Sequence, residues 1–465
     1  MTYQLQTHYK QILADMVTPV SIYLKIRDQY PNSILLESSD YHASDNSFSY
    51  ICFNPIASIT IADETITKTY PDGTSQMLPI TEHTDVPREI HSFSTRFQSP
   101  ENNFKFITNG LFGYIAYDAV RYFEDISITP KDNRLNIPDC YYAVYQNIIA
   151  INHFKNEAYL FAHCYNTKSN IPEIAQLLRV KNIATYNFAL HGEATPNLTE
   201  TEFKTHVDLA KKHCKRGDVF QLVLSRRFSQ KFKGDEFNVY RALRSINPSP
   251  YLFYFDYGNF KIFGSSPEAQ LIVKDNKAEI HPIAGTFKRT GNDIEDAQSA
   301  QRLSQDPKEN SEHVMLVDLA RNDLSRHGNT VTVETYREVQ FFSHVIHLVS
   351  KVTAQKKENT PTMQVVADTF PAGTLSGAPK HKAMQLIDTY ETINREFYGG
   401  AIGFMDFQGN FNHAIMIRTF LSKNYTLHYQ AGAGLVVASD PENELQETYN
   451  KLRALTTALE KATTI

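Results

Sequence analysis

Tryptophan is absent from this chain of 465 residues, although 26 tyrosines and 29 phenylalanines are present. Cysteine is scarce, and its four positions are far apart, with no CxxC pair. This pattern gives no sign of a disulfide framework or a zinc cluster. We therefore expect reduced thiols, as in cytoplasmic proteins, at Cys52, Cys140, Cys164 and Cys214.

Long apolar runs and an excess of positive charge are missing as well. No stretch of about 18 apolar residues occurs, so no segment is predicted to span a membrane. Residues 1–16 are polar and lack the apolar core of a secretory signal. The formal net charge is −5, which does not favour nucleic acid as a partner. With 42% hydrophobic and 21% charged residues, the sequence predicts a globular cytoplasmic protein.

The order of strand-like and helix-like segments favours an α+β fold. Residues 1–190 contain short strand-like stretches interrupted by Pro, Asn and Asp, and the polar segment 191–203 is the best candidate for a boundary. We therefore predict an N-terminal region, 1–190, and a second domain, 191–465. Strands and helices do not alternate regularly, which indicates antiparallel sheets packed together and flanked by helices.

Capping residues mark three helix starts. Thr199 and Glu202 form a capping-box pair before a helical segment that stops at Gly217. Asp306-Pro307 and Asp440-Pro441 each place an acidic N-cap before a proline at the first helical position.

Acidic pairs occur near the start of the two helices that Asp306-Pro307 and Asp440-Pro441 open. Glu309 and Glu312 are three residues apart, as are Glu444 and Glu447, so each pair lies on one helix face. Together they could hold a hard cation such as Mg²⁺, which takes one or two protein carboxylates and completes its shell with other oxygens. The helix dipole alone also favours acids in first turns, and both interpretations stand at this point.

One loop, one arginine and one histidine pair have side chains suited to substrate binding. In PAGTLSGAPK (371–380), Thr374 precedes a predicted helix start whose N–H groups suit a carboxylate or phosphate, or are simply capped. Arg418 follows the strand HAIMI and can bind a carboxylate with two parallel hydrogen bonds, although structural arginines are common. His344 and His347 have no further metal ligand nearby, which favours one catalytic or packed histidine over zinc.

A second glycine-rich segment, QAGAGLVV, places Gly432 and Gly434 around Ala433. Glycine allows a ligand to approach the backbone closely. A dinucleotide fingerprint is excluded, because Val437 stands at its last glycine position and an acidic helix follows.

A series of short motifs runs through the chain. They are TPVSIY (18–23), LLESSD (35–40), GLFGYIAYDAVRYFE (110–124), GDVFQLVLSRRF (217–228), NPSPYLFYF (247–255), GSSPE (264–268), PIAGT (282–286), ENSEHVMLVDLARNDL (309–324), HVIHLVS (344–350), GTLSGAPK (373–380), FYGGAIG (397–403), IRT (417–419), AGAG (431–434) and ETYNK (447–451). In content and order this series resembles the chorismate-utilising enzymes, and most closely the large-subunit (component I) family of anthranilate synthases. The resemblance covers most of residues 200–465 and is thinner before them.

The resemblance implies a cofactor, a substrate and a reaction. Mg²⁺ would be held by Glu312 and Glu447, with Glu309 and Glu444 nearby. Ammonia would add at C2 of chorismate with loss of the C4 hydroxyl, and elimination of pyruvate would give anthranilate. The implied chorismate contacts are Gly285, Thr286, Tyr398, Arg418, Gly432, Ala433, Gly434 and Lys451.

Proton handling and nucleophile choice are also implied by the resemblance. Hydroxide leaves badly without a proton, and Glu268 of GSSPE would be the general acid, with His347 and Thr374 as further catalytic candidates. Aminodeoxychorismate synthases have a nucleophilic lysine where Ala284 stands, and isochorismate- and salicylate-forming relatives have a basic lysine where Gln221 stands. Because neither lysine is present, free ammonia is the expected nucleophile. Read alone, both residues could equally be packing residues.

Regulation and a partner follow from the same resemblance. The family's large subunits are inhibited by L-tryptophan, which here would bind to residues of both predicted regions. The matching residues are Leu36, Glu37, Ser38, Pro250, Tyr251 and Leu252. None of the cysteine segments resembles an amidotransferase nucleophile, so a separate glutamine amidotransferase subunit (component II) is expected to supply ammonia, in a heterotetramer.

Two rival functions remain open at this stage. The first is aminodeoxychorismate synthase component I, against which Ala284 argues. The second is a catalytically inactive regulator that binds chorismate or tryptophan, against which the acidic residues Glu268, Glu312 and Glu447 argue.

Overall fold

The computed structural model describes residues 2–38, 47–100, 103–132, 134–341 and 345–465. The strands are β1 (Tyr3–Gln4), β2 (Gln6–Leu13), β3 (Ile34–Glu37), β4 (Phe48–Ala62), β5 (Thr65–Thr69), β6 (Ser75–Pro79), β7 (Phe97–Gln98), β8 (Leu111–Ile115), β9 (Cys140–Asn152), β10 (Glu157–Cys164), β11 (Phe188–Pro196), β12 (Gln221–Gly234), β13 (Tyr251–Asp256), β14 (Phe260–Ser266), β15 (Ala269–Lys274), β16 (Lys277–Ile280), β17 (Ile283–Lys288), β18 (Gly328–Phe341), β19 (Val345–Lys356), β20 (Gly377–Ala378), β21 (Ala401–Met405), β22 (Phe411–Ile415), β23 (Thr419–Lys423) and β24 (Thr426–Leu435).

The helices lie between and outside these strands. They are α1 (Pro19–Ile26), α2 (Val86–Ser94), α3 (Ile171–Leu178), α4 (Glu200–Arg216), α5 (Phe237–Ile246), α6 (Asp293–Gln305), α7 (Pro307–Ser325), α8 (Thr362–Thr369), α9 (Gly373–Ser376), α10 (Lys380–Tyr390) and α11 (Pro441–Ala462), with one 3₁₀ helix at Tyr117–Tyr122.

Most of the strands form two antiparallel sheets that share the long strands β4 and β9, while β1 and β7 form a separate parallel pair. The first sheet has the order β2-β10-β9-β4-β3-β13-β14-β23-β24-β12-β11. The second has the order β6-β5-β4-β9-β8-β21-β22-β15-β16-β19-β18, and β17 also pairs with β19. Between residues 55 and 57 the β4–β9 register shifts, and there the two strands pass from one sheet to the other. The α+β antiparallel class is thereby confirmed.

A large apolar core lies between the two sheets. Phe253 and Ile262 of the first sheet belong to the same buried cluster as Phe112, Ile402 and Ile415 of the second. Burial on this scale is the dominant stabilising contribution in a fold of this size. The two sheets are thereby held face to face, and the ends of β12, β24, β17 and β19 meet at one side of this core.

The N-terminal region contributes strands to the same sheets as the rest of the chain. In the first sheet Leu252 of β13 lies opposite Glu37 of β3. In the second sheet Gly403 of β21 lies opposite Gly113 of β8. Backbone hydrogen bonds therefore join the two predicted regions directly. The division of the chain into two regions near residue 190 stays a prediction.

The three helix starts agree with the capping residues. The backbone N–H of Glu202 donates to Thr199 Oγ1 at 3.2 Å, while Glu202 Oε2 accepts from the Thr199 N–H at 2.8 Å. Asp440 accepts from two N–H groups of the first turn of α11, and Asp306 accepts from the Glu309 N–H at 3.1 Å. Gly217 ends α4 with φ of 84°, which favours glycine. Within the part of the chain that the structure describes, no helix is both long and apolar enough to cross a membrane.

We expect Thr199→Ala to lower the free energy of unfolding by about 1 kcal/mol, because the first turn of α4 loses its capping acceptor. Urea denaturation would measure the change. Thr205→Ala is the matched control, since this exposed threonine on the same helix only donates to a carbonyl within the helix. Equal destabilisation by the two substitutions would contradict the capping explanation.

Candidate functional site

A cavity of about 220 Å³ opens where the two sheets meet α9 and α11. Eight of the residues predicted for catalysis or chorismate binding line it, namely Glu268, His347, Thr374, Tyr398, Arg418, Gly432, Gly434 and Lys451. The other lining residues are Val223, Pro267, Ile283, Leu375, Ile417, Gln430 and Ala431. Residues from distant motifs therefore converge on one concave site, which makes it the candidate active site.

Glu268 provides the only carboxyl group in the described lining of this cavity, and it lies in the turn between β14 and β15. Thr374 Oγ1 donates to Glu268 Oε1 at 3.1 Å. Burial raises the pKa of Glu268 to about 7, against the lowering effects of the Thr374 hydrogen bond and of the Arg418 and Lys451 charges. A carboxyl with a pKa near neutrality can hold a proton and release it to a bound substrate.

Arg418 and Lys451 bring positive charge to the cavity. Arg418 has a φ of 49°, and its Nη1 donates to Asn247 Oδ1 at 3.4 Å. Burial lowers the pKa of Arg418, while the nearby Glu268 raises it. Lys451 Nζ donates to the Gly432 carbonyl at 2.9 Å and pairs with Glu447 at 2.7 Å. Two cationic side chains at one cavity suit a substrate with more than one carboxylate.

His347 is oriented by a hydrogen bond to the backbone. Its Nδ1 donates to the Gly285 carbonyl at 2.9 Å, which leaves Nε2 as the accepting nitrogen of the ring. Burial lowers the pKa of His347, and the Arg418 charge lowers it further. Gly285 has a φ of 71°, and a Cβ there would lie 2.8 Å from Leu303 Cδ1 and 3.1 Å from Glu309 Oε2. The turn that orients the histidine therefore requires glycine.

The glycines of the AGAG segment allow two side chains to approach the β24 backbone. A Cβ on Gly432 would lie 3.0 Å from the Tyr398 hydroxyl oxygen, and a Cβ on Gly434 would lie 2.5 Å from Gln221 Nε2. Gln221 is buried, and its Oε1 has no hydrogen-bond partner within the described residues. The side chain of Ala433, by contrast, packs in an apolar cluster on the other side of the strand.

The segment with Ala284 forms one edge of the site. Ala284 lies opposite Leu348 in the β17–β19 ladder, and the backbone of Thr286 pairs with His347. The Thr286 side chain lies outside the described atoms, as does residue 344. An alanine beside the histidine adds no reactive group there, and Gln221 adds none with a proton to exchange at neutral pH.

The four carboxylates predicted for Mg²⁺ differ in their surroundings. Glu309 lies against Gly285, Glu312 is half-buried on α7, and Glu447 is half-exposed beside Lys451. Glu444 is buried, and its Oε1 accepts from Ser439 Oγ at 2.6 Å. No group of three or more His, Cys, Asp or Glu able to hold a metal occurs in the described ranges. Carboxylate oxygens suit Mg²⁺, so Glu312 and Glu447 fit an ion that takes one or two protein ligands and further oxygens from water or substrate.

The residues predicted for tryptophan binding meet at the β3–β13 ladder. Leu36 lies opposite Phe253, and Glu37 lies opposite Leu252. Ser38 directly follows β3, while Pro250 and Tyr251 are at the start of β13. The Glu37 carboxylate is buried. It accepts from Tyr240 Oη at 2.6 Å and from Arg244 Nε at 2.9 Å, two partners that sequence reasoning missed. None of the motifs named above includes α5, and only the tertiary fold brings that helix to β3.

A buried ion pair beneath the cavity was also missed. Arg395 Nε donates to Glu391 Oε2 at 2.8 Å, and its Nη2 donates to the Val223 carbonyl at 2.8 Å. The guanidinium lies 4.7 Å from the Tyr117 ring centroid and 5.6 Å from that of Tyr398. The i,i+4 spacing of Glu391 and Arg395 just before FYGG was the available signal.

Comparisons with known proteins show which proteins this chain is similar to. A family model described as chorismate binding enzyme matches residues 32–457. Anthranilate synthase component 1 of Lactococcus lactis is 36% identical over 96% of this chain and 98% of its own, and that of Aquifex aeolicus is 34% identical over 98% and 94%. The crystal structure of anthranilate synthase component I from Streptococcus pneumoniae superposes with a TM-score of 0.80 at 31% identity, covering 96% and 99%. The Escherichia coli menaquinone-specific isochorismate synthase shares the fold, with a TM-score of 0.74 at 19% identity over 98% and 95%.

We expect Thr374→Val to raise the pKa of Glu268 above its value of about 7, because the carboxylate loses a donor that stabilises its charged form. The protonated carboxyl band in infrared difference spectra, assigned by its loss in Glu268→Gln, would follow the titration.

Ser376→Ala is the control for Thr374→Val. Its hydroxyl, one residue beyond Leu375, donates to the Ala372 carbonyl at 3.2 Å and not to Glu268. An unchanged Glu268 titration in Thr374→Val would show that this hydrogen bond is not formed in solution.

Proposed function

The chain belongs to the chorismate-binding enzyme family, and we propose that it catalyses the anthranilate synthase reaction as a component I. Chorismate and ammonia would be converted to anthranilate and pyruvate. The observation that carries this proposal is the combination of the Glu268 carboxyl group with two cations in one cavity, in a chain that has no lysine at residue 284 or 221. The similarity to anthranilate synthase component 1 over nearly the whole chain supports it.

Substrate binding follows from the charges of the cavity. Chorismate carries two carboxylates, and Arg418 can receive one of them with parallel hydrogen bonds. Lys451 and the backbone beside Gly432 are placed to receive the other. Tyr398 presents its hydroxyl at the same strand. These contacts would hold the ring with its C4 hydroxyl toward Glu268.

The first chemical step replaces the C4 hydroxyl by a bond from nitrogen to C2. Glu268 gives its proton to the leaving oxygen, so that water leaves instead of hydroxide, while the ammonia lone pair forms the bond at C2 and the ring double bonds shift. Gln221 Oε1, an acceptor without a partner in the described residues, is available for an ammonia N–H. In the second step C2 loses its proton, the C3–O bond breaks, and the methylene carbon of the enolpyruvyl group takes up a proton, so that the group leaves as pyruvate, with His347 Nε2 and Thr374 as candidates for that proton transfer.

A magnesium ion would be held by Glu312 and Glu447, with Glu309 beside Gly285. When bound, it would screen the ring carboxylate and withdraw electrons as a Lewis acid. Glu444 is better suited to fixing the start of α11, because Ser439 already donates to it.

Ammonia would be supplied by a separate glutamine amidotransferase subunit, component II, in a heterotetramer in the cytoplasm. The designation of the relatives as component 1 supports a second component. The described residues include no reactive thiol: burial raises the pKa of Cys52, Cys140 and Cys214, and Cys164 is also buried.

We propose feedback inhibition by L-tryptophan that binds where β3 ends and β13 begins. Arg244 balances the charge of Glu37 and Tyr240 donates a hydrogen bond to it, so we propose that the amino acid's polar groups bind Ser38 and the backbone of residues 250–252. The hydrogen-bonded ladder from β3 through β13 and β14 leads to Glu268, which would couple the two sites through one rigid element.

Glu268→Gln is expected to lower kcat by ~10²–10⁴-fold, since the leaving oxygen loses its proton donor. The assay combines chorismate, Mg²⁺ and an ammonium salt, with anthranilate measured by fluorescence and pyruvate by a coupled enzyme. Glu173→Gln, at an exposed carboxylate of α3, is the control and should retain full activity.

The pH dependence of the same assay has a predicted sign. Because the Glu268 pKa is raised to about 7, the acid is protonated below that pH and kcat should fall as pH rises through it, at fixed free ammonia.

A para-aminated product in this assay, or tryptophan binding without turnover, would instead support the rival functions.

Ser38→Ala should weaken tryptophan binding by ~2–10-fold, the loss expected for one hydrogen bond, without changing kcat. Because the chain contains no tryptophan, the ligand's own fluorescence reports binding directly. Ser58→Ala, on β4 and hydrogen-bonded to Thr69, is the control. Unaltered affinity in Ser38→Ala would place the inhibitor elsewhere.

A further inference from the structure

A second, much smaller cavity of about 30 Å³ lies on the far side of Glu268 and Thr374. Both residues also line the larger cavity, so they form the wall between the two. The small cavity is lined by apolar residues of α7, including Leu316 and Ala320, and by Gln270 and Asp323. A space of about 10–15 Å³ is enough for one water molecule, so this cavity has room for one.

The orientation of the Gln270 amide is determined by its neighbour. The Thr369 hydroxyl donates its hydrogen bond to the Val365 and Val366 carbonyls, which lie 3.0 and 3.2 Å from Oγ1. The hydroxyl therefore offers a lone pair to the amide, which must present Nε2, at 3.1 Å. Gln270 Oε1 is consequently the amide atom that does not contact Thr369, and it is buried without a hydrogen-bond partner in the described part of the chain.

The remaining polar groups of the small cavity connect it to a salt bridge. Asp323 pairs with Lys380 at 2.6 Å, and Lys380 Nζ also donates to the Thr369 carbonyl at 3.0 Å. The side chains of this pair are 13% and 10% exposed, so the pair reaches the protein surface. The cavity thus has acceptors at Gln270, Glu268 and Asp323, which match a ligand that donates hydrogen bonds.

We propose that the small cavity holds one buried water, bound by Gln270 Oε1, that returns a proton to Glu268 after each turnover. The inference rests on the proposed function, in which Glu268 gives its proton to the leaving oxygen. The water donates one O–H proton to the Glu268 carboxylate and accepts one from Asp323, which has received it from the Lys380 ammonium group, and Lys380 is reprotonated from solvent. The ammonia that adds to C2 becomes a substituted ammonium group and loses one of its three protons on the substrate side, so the cycle balances.

The test compares two variants with the parent chain in the ammonium-dependent assay. Gln270→Met removes the acceptor at similar volume, and Ala320→Val fills the cavity from the opposite wall. Both should lower kcat at least about tenfold, a part of the 10²–10⁴ that a positioned proton donor contributes. The KM for chorismate and for ammonium should stay within about twofold, because neither residue lines the substrate cavity.

Two further readouts separate proton return from a packing defect. Added imidazole buffer, a small proton donor, should restore kcat in both variants, and Gln270→Glu, which keeps an acceptor oxygen, should stay near the parent rate. Unchanged kcat, or a loss that imidazole does not restore in chains with native near-UV circular dichroism, would overturn the proposal. If Gln270→Met does not fold, Ala320→Val decides alone. A parent chain that makes no anthranilate would overturn the proposed function instead.

Discussion

The buried ion pair of Arg395 and Glu391 is the interaction on which the site depends most. Arg395 is 1% exposed, and it holds two carbonyls of the cavity lining, those of Leu375 and Val223. Glu391 in turn accepts from the N–H and the hydroxyl of Ser225 on β12. Removing one partner of such a pair leaves an uncompensated buried charge, at a cost of about 3–5 kcal/mol. Strand β12, helix α9 and Tyr398 are therefore fixed relative to one another before any substrate arrives.

The second constraint is the pair of long shared strands. Because β4 and β9 belong to both sheets, the face-to-face arrangement that closes the cavity is built into the covalent chain. Glu268, in the turn between β14 and β15, and His347 on β19 are 79 positions apart in the chain, yet they line one cavity. Chemistry that needs an acid, a cation and an imidazole together is thus assembled from elements far apart in sequence.

Local signals and motif order predicted much of this structure, and long-range packing explains the rest. Thr199 and Asp440 were identifiable because a capping residue acts within its own turn. Eight site residues were identifiable because their motifs carry chemistry. The Glu37–Arg244 contact could not be foreseen, since it joins residues 207 positions apart through a tertiary contact. Ala433 was predicted to contact the substrate, but alternation along β24 turns its side chain into an apolar cluster beside Leu222.

Strand pairing across the two predicted regions also bears on how such a chain can be divided. The segment 179–187, between α3 and β11, is exposed at nearly every residue and contributes no strand. A break there would leave every ladder of both sheets intact. The N-terminal half alone would expose β3 and β8 as open edges, and the C-terminal half alone would expose β13 and β21. The halves would therefore be obligate partners rather than independent modules. A gene split at this point could persist only if both pieces were made together in matched amounts.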